Sequence, residues 1–287
     1  MPRDSVLIVG LGEVGDALFE LFRESGKFEV YGFDLDKKKM REITGSSELP
    51  KAVDVMHVCY TCTRQEKFVE ITSDYVRKIK PKLTIIESTV PPGTTQKIYE
   101  ITKLPTVDSP IRGMHESLET MKRDILFWKK YVGGTTKESA EAARTHFEKL
   151  GLEVKILKGS EETELAKLFE TTYRAWMIAC FQEMHRISRH FGAEFNEVVD
   201  MLEDIHRARL NKPIHYPDVI GGHCLIPNAE LLLTVYDSEF LRLILESNEK
   251  RKREARDKTV RAEIEKVKKR ADRLQHDLMS TLERGVR

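Results

Sequence analysis

Short runs of β-branched and apolar residues alternate with stretches of helical periodicity over the first 157 residues, and this alternation limits the folds open to the chain. The runs that read as strands lie at 5–10, 28–34, 53–60, 82–89, 127–134 and 152–159. Strands that alternate with helices are typical of βαβ units, in which helices cover both faces of a parallel sheet. We therefore predict an α/β fold with a doubly wound parallel sheet over residues 1–157.

A glycine-rich segment, GLGEVG at residues 10–15, follows the first predicted strand and opens a helix. Its glycines permit a tight turn and let the backbone approach a pyrophosphate at the helix N-terminus. Asp34 closes the second strand, near the spacing of about 20 residues that is typical of the ribose-binding acid. A carboxylate there accepts hydrogen bonds from both ribose hydroxyls and repels a 2′-phosphate. This combination predicts a Rossmann-like domain that binds NAD in preference to NADP.

Two further segments follow strands and are expected to border the same groove. The segment ESTVPPGTT at 87–95 leads into a helix and is expected to line the nicotinamide end of the cofactor. The CxxC sequence at 59–62 has no second cysteine pair, so a redox or metal role is the less favoured interpretation. The His and Cys residues between 206 and 224 do not follow a standard zinc spacing, and we predict no metal site. The predicted cofactor contacts are Gly10, Gly12, Glu13, Val14, Gly15, Asp34, Tyr60, Thr61, Ser88 and Thr89.

The pattern changes after residue 157. Residues 160–190 contain no Pro or Gly, and their apolar residues recur at helical spacing, which predicts one long helix. Its start offers a Ser N-cap with an acidic first turn. Another helix is expected near Glu194, and a loop rich in Pro, Gly and His at 211–228 precedes a third. We predict a helical central domain over 158–247 and a charged helical tail over 248–287.

The tail differs in charge from the rest of the chain. Residues 249–287 hold 14 Lys/Arg and 8 Asp/Glu, against 34 and 39 in the preceding residues. Apolar residues recur there at alternating steps of four and three, which is the spacing of a coiled-coil seam. These residues are Val260, Ile264, Val267, Ala271, Leu274, Leu278 and Leu282. The tail is interpreted as a helix that packs on its own domain, as a coiled coil with a second copy, or as a nucleic-acid contact.

Composition excludes several classes of protein. The formal net charge is +1, so no general attraction to nucleic acid is expected. No apolar run reaches the ~18 residues of a membrane span, and the first residues lack the layout of a signal peptide. Four cysteines are too few for a secreted disulfide scaffold. We predict a cytoplasmic enzyme with a small-molecule substrate and no membrane partner.

Five segments together resemble the UDP-glucose/GDP-mannose dehydrogenase family. They are GLGEVG, ESTVPPGTT, Ser109-Pro110, ELAKLFETTYRA at 164–175 and IGGHCLIPNAELL from Ile220, in the order that the family shows. The resemblance spans roughly residues 5–235. It implies NAD-dependent oxidation of a sugar alcohol to a carboxylate in two hydride transfers. Cys224 matches the nucleophile that traps the intermediate aldehyde, and Lys167 matches the lysine that holds water and stabilises the oxyanion.

The chain departs from the family pattern at several positions. Thr171 stands where the family has Asn, and Asn228 stands where it has an acid. Ile111 follows Ser-Pro where the family has Glu. A neutral amide cannot act as a general base, whereas His115 can. After Pro227 we expect no counterpart of the family's third domain. The candidate catalytic residues are Cys224, Lys167, Thr89, His115, Thr171 and Asn228.

Three functions stay open. The first is an NAD-dependent oxidoreductase related to nucleotide-sugar dehydrogenases, acting on an alcohol or sugar derivative. The second is a single hydride transfer with Lys167 as the sole acid and base, as in β-hydroxyacid dehydrogenases. The third is a non-catalytic NAD-binding scaffold protein. In each case a homodimer through helix 160–190 is expected, since that helix carries the large side chains of Phe169, Tyr173, Trp176, Met177 and Phe181.

Overall fold

The computed structural model describes residues 3–44, 49–113, 116–209, 216–235 and 237–285. The chain forms two compact units, Met1–Leu168 and Phe169–Arg287. We call them the first and the second unit. The finer division at residues 157 and 247 stays a prediction.

A β-sheet forms the centre of the first unit. Its strands in the described residues are β1 (Asp4–Val9), β2 (Phe28–Phe33), β3 (Val55–Val58), β4 (Leu83–Ile86), β5 (Thr106–Asp108), β6 (Lys130–Gly134) and β7 (Val154–Ile156). Their order is β2-β1-β3-β4-β5-β6-β7. The strands from β2 to β5 are parallel, and β6 pairs with β7 in parallel. The predicted doubly wound fold is confirmed.

One orientation differs from the predicted parallel sheet, because β6 runs antiparallel to β5. The N-terminal end of β6 therefore lies beside the C-terminal end of β5. The connection between the two strands starts and finishes at this end of the sheet and does not cross over to the opposite end. With only three residues, β5 shows too little periodicity to be recognised in the sequence.

Helices cover both faces of the sheet. In the first unit they are α1 (Glu13–Ser25), α2 (Lys37–Thr44), α3 (Gln65–Ile79), α4 (Thr94–Thr102), α5 (Leu118–Phe127) and α6 (Lys137–Leu150). Consecutive residues of β1 from Val6 to Val9 are all buried, so neither face of that strand meets solvent. Helix α6 begins at a capping box, in which Thr136 accepts a hydrogen bond from the Ser139 N–H.

The long helix predicted over 160–190 is α7 (Ser160–His190). The helices that follow are α8 (Phe195–Arg209), α9 (Leu225–Leu233), α10 (Glu239–Glu254) and α11 (Lys258–Gly285). Among the described residues, none of these helices combines the length and apolar character needed to cross a bilayer.

The apolar seam of the tail packs within its own unit. Its first five residues, from Val260 to Leu274, are buried, and three of them contact Phe195 and Val199 of α8. For these five residues the burial favours the interpretation in which the tail packs on its own domain, and pairing with a second copy stays a prediction. The side chains of Leu278 and Leu282 lie outside the described part of the structure.

Candidate functional site

The glycine-rich segment forms a tight turn between β1 and α1. Gly10 has a φ of 89°, and a Cβ there would lie 2.7 Å from the backbone nitrogen of Tyr60. A Cβ at Gly15 would lie 1.8 Å from the Gly10 carbonyl oxygen. Both positions therefore require glycine. Gly12 precedes α1, whose N-terminal N–H groups can face an anion. This turn has the shape that a dinucleotide pyrophosphate requires.

Asp34 joins the end of β2 to this turn. One of its carboxylate oxygens accepts a hydrogen bond from the Leu11 N–H at 2.7 Å, and the other accepts from the Asp36 N–H at 2.9 Å. Each carboxylate oxygen has a second lone pair, so the group can still accept from ribose hydroxyls. The residues that the sequence proposes for the adenosine half of NAD thus lie side by side, and they fit the cofactor.

Acidic residues crowd the same turn. Glu13 and Asp16 lie in the first turn of α1, and with Lys39 and Glu116 they line a cleft beside Gly12. Burial, followed by repulsion from Glu20, raises the pKa of Asp16. A pyrophosphate in this cleft would meet fewer positive charges than negative ones.

The other predicted cofactor contacts lie after β3 and β4, whose carboxyl ends are adjacent in the sheet. The Ser88 hydroxyl donates to the carbonyl oxygens of Val58 and Tyr60, at 3.1 and 2.6 Å. The Tyr60 hydroxyl lies 2.6 Å from Thr72 Oγ1. Thr61 is exposed and Thr89 is half-buried. The sheet therefore brings the segments 59–62 and 87–95 together, as the sequence predicts.

The cysteines of the CxxC sequence lie in apolar surroundings. Burial raises the pKa of the Cys59 thiol well above its ordinary value and that of Cys62 to about 12. A thiol with a raised pKa is a poor nucleophile and a poor redox group. The metal alternative involved His206 and His215, and the side chains of both lie outside the described residues, as does His115.

A chain of buried polar side chains runs through the first unit, and the sequence did not reveal it. His57 Nδ1 lies 2.9 Å from Glu87 Oε1, and His57 Nε2 lies 2.9 Å from His146 Nε2. The Lys130 ammonium group donates to Glu87 and to the Ser109 carbonyl oxygen. We call Glu87, His57, His146 and Lys130 the buried polar chain.

The hydrogen-bond geometry determines which ring nitrogens of the buried polar chain carry protons. Facing ring nitrogens need one donor and one acceptor, and burial lowers the pKa of both histidines, so both are neutral. His57 then donates from Nδ1 to the carboxylate of Glu87 and accepts from His146. Burial alone would raise the pKa of Glu87, but the Lys130 charge and the His57 hydrogen bond lower it. The charges of Glu87 and Lys130 therefore cancel.

A pair of buried carboxyl groups lies beside the segment 87–95. Glu164 accepts hydrogen bonds from the N–H groups of Gly93 and Thr95, at 2.6 and 2.9 Å, at the start of α4. Burial raises the pKa of Glu164 to about 7. Asp108 is fully buried, and neither carboxylate oxygen has a hydrogen-bond partner among the residues described. Burial and the neighbouring Glu164 raise the pKa of Asp108 well above its ordinary value.

In the second unit, two of the departures from the family pattern contact each other. Asn228 Nδ2 donates to Thr171 Oγ1 at 2.8 Å, which ties α9 to α7. Cys224 is half-buried and immediately precedes α9, one helical turn before Asn228. Lys167, near the end of the first unit, lies on α7 one turn before Thr171 and is also half-buried. The pairing of positions 171 and 228 was not visible in the sequence.

The aromatic residues of α7 divide into two sets. Phe169 and Tyr173 are 54% and 64% exposed. Trp176 instead packs on Phe240, with ring centroids 3.9 Å apart, and Phe181 packs against the α8–α11 core. Association through this helix stays a prediction, and the exposed Phe169 and Tyr173 are candidate contacts for it.

Comparison with known proteins points to one family. Residues 161–250 match the UDP-glucose/GDP-mannose dehydrogenase family, central domain. The UDP-N-acetyl-D-mannosamine dehydrogenase of Methanocaldococcus jannaschii is 28% identical, over 77% of this chain and 59% of the relative. The enzyme of the same name from Methanococcus vannielii is 26% identical, over 85% and 65%. The chain thus spans about three fifths of the length of these relatives.

Solved structures share the fold. The UDP-D-ManNAc dehydrogenase of Pyrococcus horikoshii superposes with a TM-score of 0.73 at 21% identity, over 88% of this chain and 69% of that one. The 3-hydroxyisobutyrate dehydrogenase of Mycobacterium tuberculosis superposes with a TM-score of 0.64 at 15% identity, over 92% and 99%. The resemblance seen in the motifs is confirmed, because residues 161–250 of this chain match the central domain of the UDP-glucose/GDP-mannose dehydrogenase family.

Proposed function

We propose that this protein is an NAD-dependent oxidoreductase that oxidises a hydroxymethyl group of a nucleotide sugar to a carboxylate. The central-domain match and the relatives named UDP-N-acetyl-D-mannosamine dehydrogenase support this class of substrate. The overall reaction consumes R–CH2OH, two NAD⁺ and one water, and it yields R–COO⁻, two NADH and three protons. The substrate is a small molecule. We further propose that the protein is cytoplasmic and that it forms a homodimer through Phe169 and Tyr173 of α7.

The glycine-rich turn and Asp34 are proposed to hold the cofactor, which supplies the hydride acceptor for both oxidations. The turn receives the pyrophosphate at the start of α1, and Asp34 accepts from the ribose hydroxyls. Ser88 and Thr89 border the nicotinamide end. The acidic side chains of the turn weaken cofactor binding, so the affinity for NAD is expected to fall as the pH rises through the raised pKa of Asp16.

Cys224 is proposed as the nucleophile. Its thiolate adds to the intermediate aldehyde to give a thiohemiacetal, whose oxidation gives a thioester that water hydrolyses. The Lys167 ammonium group holds that water and stabilises the oxyanion. His115 is the proposed base for hydrolysis. The observation that carries this proposal is the Asn228–Thr171 hydrogen bond, because it ties the helix that follows Cys224 to position 171, one of the positions that the family pattern singles out.

The test measures both products of the full-length protein with UDP-N-acetyl-D-mannosamine and NAD⁺. Two NADH per carboxylate are expected, with a preference for NAD⁺ over NADP⁺ that Asp34→Ala reduces. Cys224→Ser is expected to abolish carboxylate formation and to leave NAD binding unchanged. Cys180→Ser is the matched control, because it removes an exposed thiol of α7. Carboxylate formation at an unchanged rate in Cys224→Ser would contradict the proposal.

A second candidate function is a single hydride transfer with Lys167 as the only acid and base. It is favoured by Ile111 and Asn228, which replace carboxylates of the family pattern. It predicts one NADH per substrate and no effect of Cys224→Ser. Cofactor binding without any turnover would instead indicate the third alternative, a non-catalytic scaffold.

A further inference from the structure

A cleft in the second unit collects positive charge. It lies between α7, α10 and the start of α11, and its lining includes Arg186, Arg189, Lys250, Arg251, Arg253 and Glu254. Two of these cations lie one turn apart on α7, and two others lie one turn apart on α10. We call this the basic cleft. None of its residues belongs to the glycine-rich turn or to the segment around Cys224.

Arg251 is the buried residue of the cleft. Its side chain is fully buried, and its guanidinium group contacts His185 Nδ1 at 3.2 Å and donates to the Gln182 carbonyl oxygen at 3.0 Å. Its Nε has no hydrogen-bond partner in the part of the chain that the structure describes. The Glu254 carboxylate lies 3.4 Å from that nitrogen. A buried guanidinium with an unused donor is costly unless negative charge is supplied.

His185 cannot adjust this charge. Because Arg251 has only donors, His185 Nδ1 must accept, and His185 Nε2 then donates to Glu263 Oε2 at 2.7 Å. The ring is therefore neutral, and burial lowers its pKa.

The carboxylates around the cleft are shared between cations. Glu254 accepts from Arg186 at 3.0 Å while it also faces Arg251. Glu263 accepts from Arg189 at 3.0 Å as well as from His185. The remaining acid at the rim, Asp257, accepts from backbone N–H groups at the start of α11. These acids leave the cations of the cleft in excess.

The pKa of Arg251 reflects this excess of positive charge. Burial, together with repulsion from Arg186 and Arg189, outweighs attraction to Glu254 and Asp218 and lowers the pKa of Arg251 to about 10. At the rim, Lys250 and Arg253 are exposed, and neither makes an ion pair with any residue in the described ranges.

We propose that the basic cleft binds the phosphate group of a small molecule, and that Lys250 and Arg253 contact the phosphoryl oxygens. A phosphate fits because it carries up to two negative charges on oxygens that several donors can share, and guanidinium groups bind it strongly. The site is independent of the proposed dehydrogenase chemistry. Such a ligand would connect α7 to α10, and so act on the unit that contains Cys224.

The experiment titrates inorganic phosphate and inorganic pyrophosphate into the full-length protein at constant ionic strength. Thermal unfolding is followed, because a ligand that binds only the folded state raises the midpoint in a saturable way. Tighter binding of pyrophosphate identifies a diphosphate group as the ligand, and equal binding identifies a phosphomonoester or free phosphate.

Variants locate the site. Lys250→Gln and Arg253→Gln are each expected to weaken binding roughly tenfold, the effect of losing one charge-assisted hydrogen bond. Both residues are exposed, so the variants are expected to fold, whereas loss of the buried Arg251 would itself destabilise the unit. Lys252→Gln is the matched control, since Lys252 lies on the same helix, pairs with Glu249 and does not line the cleft. Its affinity is expected to be unchanged.

Three results would overturn the proposal. One is the absence of saturable stabilisation at constant ionic strength. Another is stabilisation that Lys250→Gln and Arg253→Gln leave intact, which would place the anion elsewhere, for example at the glycine-rich turn. The last is an equal loss in Lys252→Gln, which would show a general effect of net charge.

Discussion

Both units bury charged side chains, but they balance them differently. In the buried polar chain of the first unit, the negative charge of Glu87 meets the positive charge of Lys130, and the two histidines are neutral. In the basic cleft of the second unit, cations share too few carboxylates. A buried charge that is balanced by its partner affects only the stability of the fold. An excess of positive charge can bind an anion from solution. The basic cleft, and not the buried polar chain, is therefore the candidate ligand site.

The largest expected effect breaks the balance in the first unit. Lys130→Met leaves the Glu87 carboxylate buried without its cation, and the free energy of unfolding is expected to fall by about 3–5 kcal/mol. Urea denaturation measures this.

Lys129→Met is its control. Lys129 pairs with Glu153 at the surface, and its loss is expected to lower the free energy of unfolding far less than the loss of Lys130. Equal losses in the two variants would mean that the buried pair contributes no more than a surface pair.

Asp108 is the exception within the first unit, because its buried carboxyl group has no cation of its own. Asp108→Asn removes the need to keep that group protonated, so we expect it to stabilise the protein by about 1–2 kcal/mol at pH 8 and less at pH 5. A carboxyl group with a raised pKa stabilises the folded state below its unfolded pKa and loses that contribution as the pH rises. For Glu164 the window runs from its ordinary 4.5 to about 7.

Asp54 provides a control of opposite sign. Hydrogen bonds from Lys82 and Ser5 lower its pKa to about 2, so its contribution is present above the ordinary value of 3.8 and is lost as the pH falls. Asp54→Asn is therefore expected to destabilise the protein at pH 8. Denaturation of both variants at several pH values decides the matter, and a shared sign would contradict the assignment of Asp108.

The last prediction concerns a neutral pair in the second unit. Asn228→Asp keeps the contact with Thr171, whose hydroxyl can donate to the new carboxylate, and it supplies a base beside Cys224. Carboxylate formation is expected to rise about tenfold, which corresponds to about 1.4 kcal/mol in the barrier. Asn228→Ala, which removes the amide without adding a base, is expected to show no rise. An equal rate in both variants would exclude position 228 from hydrolysis.

The sequence predicted whatever depends on local pattern. The turn at Gly10 and Gly15 and the long helix α7 each follow from spacing within a few residues. His57 shows the limit, because it stands alone in an apolar run and its partner His146 is 89 residues away. No local sequence pattern indicates the pairing of His57 with His146.

The same limit applies to the tail. Arg251 belongs to a run of charges that usually lies in solvent, yet tertiary packing buries it completely. The seam from Val260 to Leu274 was recognisable as apolar, but its partner on α8 was not, because a repeat of apolar positions does not say which surface covers it.

The packing of α11 on α8 also affects how the chain matures during synthesis. Val199 leaves the ribosome about 70 residues before its partner Val267, which is a delay of about 4 to 14 s at ordinary elongation rates. During that interval the apolar side of α8 has no cover from the tail. A nascent chain from which Val199 but not Val267 has emerged from the ribosome is therefore expected to bind a holdase chaperone through α8. Once Leu274 has also emerged, the chain is expected to release the chaperone.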